Sequence, residues 1–214
     1  MRVGLFGGSF NPIHFGHLRS AEEVREALNL DLIYFVPAAS PPHKVEGELA
    51  PAEHRLAMVR LATKGNRHFM VSDTEIRRLG RSYTVDTTRH FLQTLRQPST
   101  LFLMLGADLF VDLETWKEAA TLVTLCNLVV HSRVAADDTE SGHHATVVAV
   151  LKRFGYIKQQ DHYVHPSGQT LSFVETTILP ISATLIRDKL RRRESIRYLV
   201  PNDVLDYIER HGLY

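Results

Sequence analysis

The sequence predicts an α/β fold: a doubly wound, Rossmann-like parallel sheet with helices on both faces and a small C-terminal helical segment. Three observations predict it. Short apolar runs of strand length, at 3–6, 32–36, 101–105 and 128–131, alternate with stretches whose apolar residues recur at helical spacing. The first run passes directly into paired glycines and then a helical pattern, the arrangement by which parallel sheets bind phosphate. A length of 214 residues with 44% apolar content suits one such domain with a substantial core.

Taken in order, the run 3–6 is a first strand and 15–28 a first helix, with Leu18, Ala21, Val24, Ala27 and Leu28 forming its buried stripe. The run 32–36 is a second buried strand that stops at Pro37. A loop spans 38–51, a helix 53–63 and a short strand 69–72. Ser82 or Thr84 is expected to cap a helix running to about residue 96. The most apolar strand, 101–105, leads into Gly106, Ala107 and Asp108, and Trp116 opens the next helix. A fifth strand lies at 128–131, a polar loop follows, and 147–154 reads as helix. Residues 173–179 are rich in strand formers and end at Pro180, Ser182 occupies an N-cap position, and a last helix covers 201–210. The expectation is one domain over 1–214, with a core to about residue 180 and a helical segment from 181 onward.

Formal charge is +1, from 25 basic and 24 acidic residues, so no global field draws nucleic acid or a membrane, and a small molecule is the default partner. Cys126 is alone, which excludes an intrachain disulfide and a thiolate zinc site and reads as a small buried apolar residue. No leader-like apolar region follows Met1, and no run is long enough to span a bilayer. A cytoplasmic protein is expected, with its oligomeric state open.

The chemistry concentrates in GGSFNPIHFGH, 7–17. Gly7 and Gly8 let backbone N–H groups approach a ligand and allow positive φ, while Pro12 stiffens the turn. His14 and His17 fall in the first helical turn, where free N–H groups and the helix dipole favour an anion. Neither G-x-G-x-x-G nor a Gly-Lys-Ser/Thr ending is present, so imidazoles stand where other phosphate loops place lysine. Phosphoryl and nucleotidyl transfer chiefly require alignment and donors for spreading charge, which two imidazoles supply. A second anion-binding helix start is expected at Thr84 and Val85, with no lysine or arginine at positions 83–85. A third, behind Ser182, carries Thr184 in its first turn and Arg187 one turn later. Arg187 shares a face with Ala183 and Arg191, whereas Lys189, Arg192 and Arg193 read as a solvated basic surface. Lys44 follows Pro41, Pro42 and His43 in the loop after the second strand: plain turn chemistry, or a cation beside the ligand. His143 and His144 lack a third ligand at metal spacing and read as exposed.

The strand, glycines and paired histidines resemble the (T/H)xGH signature of the nucleotidyltransferase superfamily. With PPHK at 41–44, SYTVDT at 82–87, GAD at 106–108, the later Trp116 and ISATLIR at 181–187, nearly the whole chain resembles the bacterial nicotinate mononucleotide adenylyltransferases. The resemblance implies transfer of the adenylyl group of ATP to nicotinate mononucleotide, with Mg²⁺ accompanying ATP and held by phosphate oxygens and water rather than by side chains. It implies catalytic roles for His14, His17 and Arg187, within an ATP site of Gly7, Gly8, Ser9, Phe10, Gly106, Asp108, Ile181, Ser182 and Thr184. It places the mononucleotide against Ser9, Lys44, Tyr83, Thr84, Val85, Asp108, Trp116 and Arg133. Asn11 stands where aspartate is frequent in that family: a bracing role survives the change, and a metal-ligand role would not. Phosphopantetheine adenylyltransferases share the first and last motifs but are typically shorter and lack the middle ones. A silent nucleotide-binding relative would be free to lose His14, His17 and Arg187, which are all present.

Overall fold

The computed structural model describes residues 1–42, 49–78, 80–132 and 143–214. Its strands are β1 (Arg2–Gly8), β2 (Leu32–Pro37), β3 (Phe69–Val71), β4 (Thr100–Gly106), β5 (Asn127–Ser132), β6 (Ile157–Gln159), β7 (His162–Val164) and β8 (Thr170–Glu175). Its helices are α1 (Phe15–Ala27), α2 (Ala52–Thr63), α3 (Thr74–Arg77), α4 (Thr84–Thr94), α5 (Ala107–Val111), α6 (Ala119–Leu125), α7 (His143–Arg153), α8 (Ala183–Arg191) and α9 (Asn202–His211). The strands form one sheet in the order β3-β2-β1-β4-β5-β8-β7-β6. Every pair from β3 to β8 is parallel, and β7 and β6 extend the far edge as an antiparallel hairpin.

Because β1 pairs with β2 on one side and β4 on the other, the winding direction reverses between β1 and β4. Such a switch opens a crevice at the carboxyl ends of the strands, here flanked by Gly8 and Gly106. The strands are apolar on both faces because both are covered. In β4, Leu101, Leu103 and Leu105 belong to one core cluster with Val85 and Phe91 of α4, Leu122 of α6 and Val150 of α7. The intervening Phe102 and Met104 belong to the other, with Ala21 and Val24 of α1, Met58 and Val59 of α2, Ile186 of α8 and Ile208 of α9. The residues from 181 onward are therefore not appended to a finished core. Ile196, Val200, Val204 and Leu205 close the same cluster that α1 and α2 line.

The strands expected at 3–6, 32–36, 69–72, 101–105 and 128–131 and the helices expected at 15–28, 53–63, 84–96 and 201–210 are present within a residue or two of their predicted ends. By contrast, β8 runs from Thr170 to Glu175 against the expected 173–179, α7 begins at His143 and not at 147, and further features differ. The hairpin β6–β7 and the short helices α3 and α5 were not predicted. Trp116 does not open a helix; it follows a single 3-10 turn, Leu113–Thr115, and α6 begins at Ala119. Ala27 is exposed, so the buried stripe of α1 is narrower than its spacing suggests. The start of α4 is capped by neither Ser82 nor Thr84. Cys126 is 1% exposed, and burial pushes its thiol up to about 12, so it behaves as an apolar core residue. Among the described residues no helix is long and apolar enough to cross a membrane.

If α9 is part of the sheet's own core, Ile208→Ala, at a site 1% exposed, should cost about 2–5 kcal/mol in urea-induced unfolding. A cost below about 0.5 kcal/mol would show that α9 rests loosely on the domain.

Candidate active site

At the carboxyl edge the first turn after β1 folds differently from its glycine-rich reading. Gly7 and Gly8 keep negative φ, and the left-handed residue is Phe10, at φ 45°. Its ring is 1% exposed and wedged against Phe6, Phe35 and His17, with centroids 5.7, 5.8 and 5.2 Å away, which holds the strained backbone in place. A Cβ at position 8 would lie 3.1 Å from that ring, so any side chain there would press on the Phe10 ring.

His14 is the N-cap of α1 and His17 its third residue. The His14 N–H donates to His17 Nδ1 at 3.3 Å, which leaves Nε2 as the protonated, donating nitrogen of His17. The two rings stack at 3.8 Å with 30° between their planes. The start of α1 is less open than expected, because Phe15 N–H is taken by the Leu199 carbonyl and His17 N–H by that of His14. An anion placed here would meet the imidazoles more than the backbone.

Ser182 caps α8 as predicted, accepting from Leu185 N–H at 3.1 Å. Arg187 turns back toward the turn after β1: Nη1 donates to the Asn11 carbonyl at 2.9 Å, Nη2 to Thr184 Oγ1 at 3.3 Å, and Nε is buried without a partner among the described residues. Asn11 is 1% exposed, and its Oδ1 accepts from Ala50 N–H at 3.0 Å and Tyr214 O–H at 2.8 Å. That side chain braces the loop. Ile181 is buried directly before the α8 cap. Asp108 lies exposed in the first turn of α5, with a carboxylate oxygen so close to position 106 that a Cβ there would sit 2.5 Å from it.

At α4 the expected capping side chain is engaged elsewhere. Ser82 Oγ accepts from Ala39 N–H at 2.9 Å and Ser40 N–H at 3.3 Å, stitching the loop after β2 to the approach of α4. Tyr83 is therefore the N-cap, with no side-chain bond to the helix, and the N–H groups of Thr84 and Val85 have no partner among the described residues. Thr87 Oγ1 donates at 2.6 Å to Glu75, a buried carboxylate, and Arg78 Nη2 reaches Thr87 Oγ1 at 3.1 Å and the Tyr83 carbonyl at 3.4 Å. A lysine also arrives from outside the segment. Lys117 Nζ lies 4.6 Å over the Tyr83 ring and 3.0 Å from Asp86, beside the half-buried Trp116.

Arg55, which the sequence reading passed over, is 1% exposed; its Nε, Nη1 and Nη2 donate to the carbonyls of Ala50, Ser9 and Ala39 at 2.8, 2.8 and 3.2 Å. Desolvation lowers its pKa, opposed by the neighbouring Tyr214 and Glu53. It was detectable from spacing, since it shares a helical face with Met58, Val59 and Ala62. His131, at the end of β5 and edge-on to Phe6 at 5.5 Å, also went unremarked. Lys44 and Arg133 lie outside the described residues, as do the side chains of His143 and His144. Among the described residues no three His, Cys, Asp or Glu side chains are grouped to hold a metal ion.

The cytidylyltransferase-like family model matches residues 5–189, from β1 to α8. A Geobacter metallireducens protein named "Probable nicotinate-nucleotide adenylyltransferase" is 45% identical over 215 residues, covering 100% of this chain and 98% of its own. The chain belongs to the nicotinate-nucleotide adenylyltransferase family. A Geotalea daltonii member of the same name is 44% identical over 217 residues, with 100% and 98% coverage. The fold is that of the Plasmodium falciparum nicotinic acid mononucleotide adenylyltransferase complexed with NaAD, at TM-score 0.74 and 20% identity over 100% of this chain and 97% of that one. The segments 82–87 and 181–187 contain the starts of α4 and α8.

The Glu75–Thr87 bond fixes where α4 begins. Thr87→Val should cost about 1.5–3 kcal/mol in urea unfolding, because a buried carboxylate loses its hydroxyl donor. A loss under about 0.5 kcal/mol would mean that the carboxylate finds another partner.

Proposed function

We infer that this enzyme joins nicotinate mononucleotide to the adenylyl group of ATP, giving nicotinate adenine dinucleotide and pyrophosphate in NAD biosynthesis. The observation that carries this reading is the pairing, on one sheet edge, of a stacked imidazole pair beside a returning arginine with an uncapped helix start. The first suits a triphosphate, the second a carboxylate. A cytoplasmic location agrees with a metabolic nucleotidyltransferase.

In the proposed mechanism, a phosphate oxygen of the mononucleotide attacks the α-phosphorus of ATP in line. A new P–O bond forms as the bond to the β-phosphate oxygen breaks, and pyrophosphate leaves with the electron pair. No enzyme nucleophile is required. Mg²⁺ accompanying ATP would be held by phosphate oxygens and water, with no side chain of this chain assigned to it, and would shield the charge of the triphosphate. His17, with Nε2 as donor, and His14 stacked on it stabilise charge on the phosphoryl oxygens, and Arg187 with its free Nε meets the β- and γ-phosphates beside Thr184. Gly7, Gly8, Ser9 and Phe10 form the turn under the phosphates, Gly106 and Ile181 border adenine, and Asp108 meets ribose or phosphate. Lys44 and Arg133 are assigned to phosphate on the family motif alone.

The nicotinate carboxylate is assigned to the Thr84 and Val85 N–H groups, with Trp116 stacking on the ring. Because Ser82 Oγ is held by the loop after β2, these donors await an anion. Lys117 adds positive charge beside Tyr83. Nicotinamide mononucleotide would turn an NH₂ donor toward these N–H groups or leave one unpaired, a penalty of about 1–3 kcal/mol.

Two measurements test this assignment. His17→Ala should lower kcat by on the order of 10²-fold in steady-state pyrophosphate release, while unchanged turnover in the folded variant would refute the imidazole's role. Thr84→Pro removes one donor at the first helical position, which accepts proline, after an extended Tyr83 at φ −101° and ψ 129°. It should reduce the ratio of kcat/KM for nicotinate over nicotinamide mononucleotide by about tenfold, and an unchanged ratio would reject recognition by the backbone.

A further inference from the structure

Arg55 ties together three segments that belong to different parts of the site: the turn after β1 through Ser9, and the two ends of the loop after β2 through Ala39 and Ala50. Two of these ties continue further. Ala50 donates its N–H to Asn11 Oδ1, and the Asn11 carbonyl receives Arg187 Nη1, so one chain of bonds ends at the arginine proposed for the ATP phosphates. Ala39 donates its N–H to Ser82 Oγ, and Ser82 N–H returns to the Ser40 carbonyl, so the other ends beside the open start of α4. One buried side chain thus lies at the root of both half-sites.

We propose that Arg55 is the positioning residue that sets the phosphate cradle and the nicotinate-binding helix start in a single frame, so that the two substrates meet in line. This rests on the functional reading above. A guanidinium is suited to the task because its nitrogens diverge in one rigid plane and reach three carbonyls at once; an ammonium on a flexible stem keeps the charge but not the fork. In-line transfer is sensitive to the frame, since a displacement near 1 Å away from the reacting atoms can cost on the order of 10²-fold.

The test is a double-mutant cycle on the full chain, run below the unfolding range of every variant. Arg55→Lys should lower kcat/KM for ATP by on the order of 10²-fold and also lower the nicotinate-to-nicotinamide ratio. Combined with Arg187→Lys, its loss should fall at least about tenfold short of the product of the single losses, because Arg187 is already displaced. A purely structural arginine gives multiplicative losses and leaves the ratio unchanged, and that result would overturn the proposal. Should Arg55→Lys fail to fold, Ser82→Ala severs the α4 branch alone. It should lower the ratio several-fold with KM for ATP unchanged, and an unchanged ratio would equally overturn the proposal. Wild-type protein that transfers no adenylyl group to either mononucleotide would refute the functional reading itself, whereas active wild type with multiplicative losses refutes only the role of Arg55.

Discussion

Where the chain leaves a parallel sheet, its carbonyls lose their ladder partners, and those that stay shielded from water must be satisfied by something else. At this carboxyl edge the carbonyls of Ser9, Asn11, Ala39 and Ala50 are in that position, and two guanidinium groups, of Arg55 and Arg187, satisfy all four. Arginine is suited because it offers five donors in one rigid plane and no acceptor that would itself need a donor. The arrangement imports positive charge beneath a site read as binding phosphate. Burying such a charge is costly without compensation, and four carbonyl dipoles supply part of it. A chain of net charge +1 thereby concentrates positive charge beneath this edge.

The architecture was readable because its strands are buried on both faces. Runs such as 101–105 have no polar interruption, and that continuity identifies a covered parallel strand without reference to its neighbours. The hairpin β6–β7 escaped for the opposite reason: Ile157, Lys158 and Gln159 are all exposed at the sheet edge, and the turn between Gln159 and His162 uses Gln160 at φ 51° in place of the glycine or asparagine that marks such turns. Ser182 was identified as a cap because its helix pattern begins at once. Ser82 misled because its hydroxyl is used by backbone 43 residues away, a long-range bond that local spacing does not encode.

The site was readable in its ends and hidden in its middle. His14, His17 and Arg187 stand in motifs whose residue types suit phosphate chemistry, so type and spacing together pointed to them. Arg55 sits within an ordinary helix beginning AEHRLAMV, where the expected place for arginine is the solvated face; tertiary demand from three carbonyls drew it inward. Lys117 reaches the Tyr83 ring only because the 3-10 turn at Leu113–Thr115 ends at Trp116 and turns the chain back on the start of α4. The positive φ assigned to the paired glycines is adopted by Phe10, whose ring has a pocket to fill that a glycine would leave empty.

The two open helix starts also differ in what they can select. At α8 the Ser182 side chain satisfies one backbone donor, and in the proposed function recognition passes to Thr184 and Arg187, long or rotatable groups that can follow a flexible triphosphate. At α4 no side chain caps the helix, and its donors are backbone, fixed by Thr87 on Glu75 and by Ser82 on the loop after β2. Rigid donors discriminate more sharply than mobile ones, because they cannot rotate to hide an unpaired group from the wrong substrate. Selectivity between an acid and its amide is therefore expected to reside in backbone geometry at α4, with side chains chiefly holding that geometry in place.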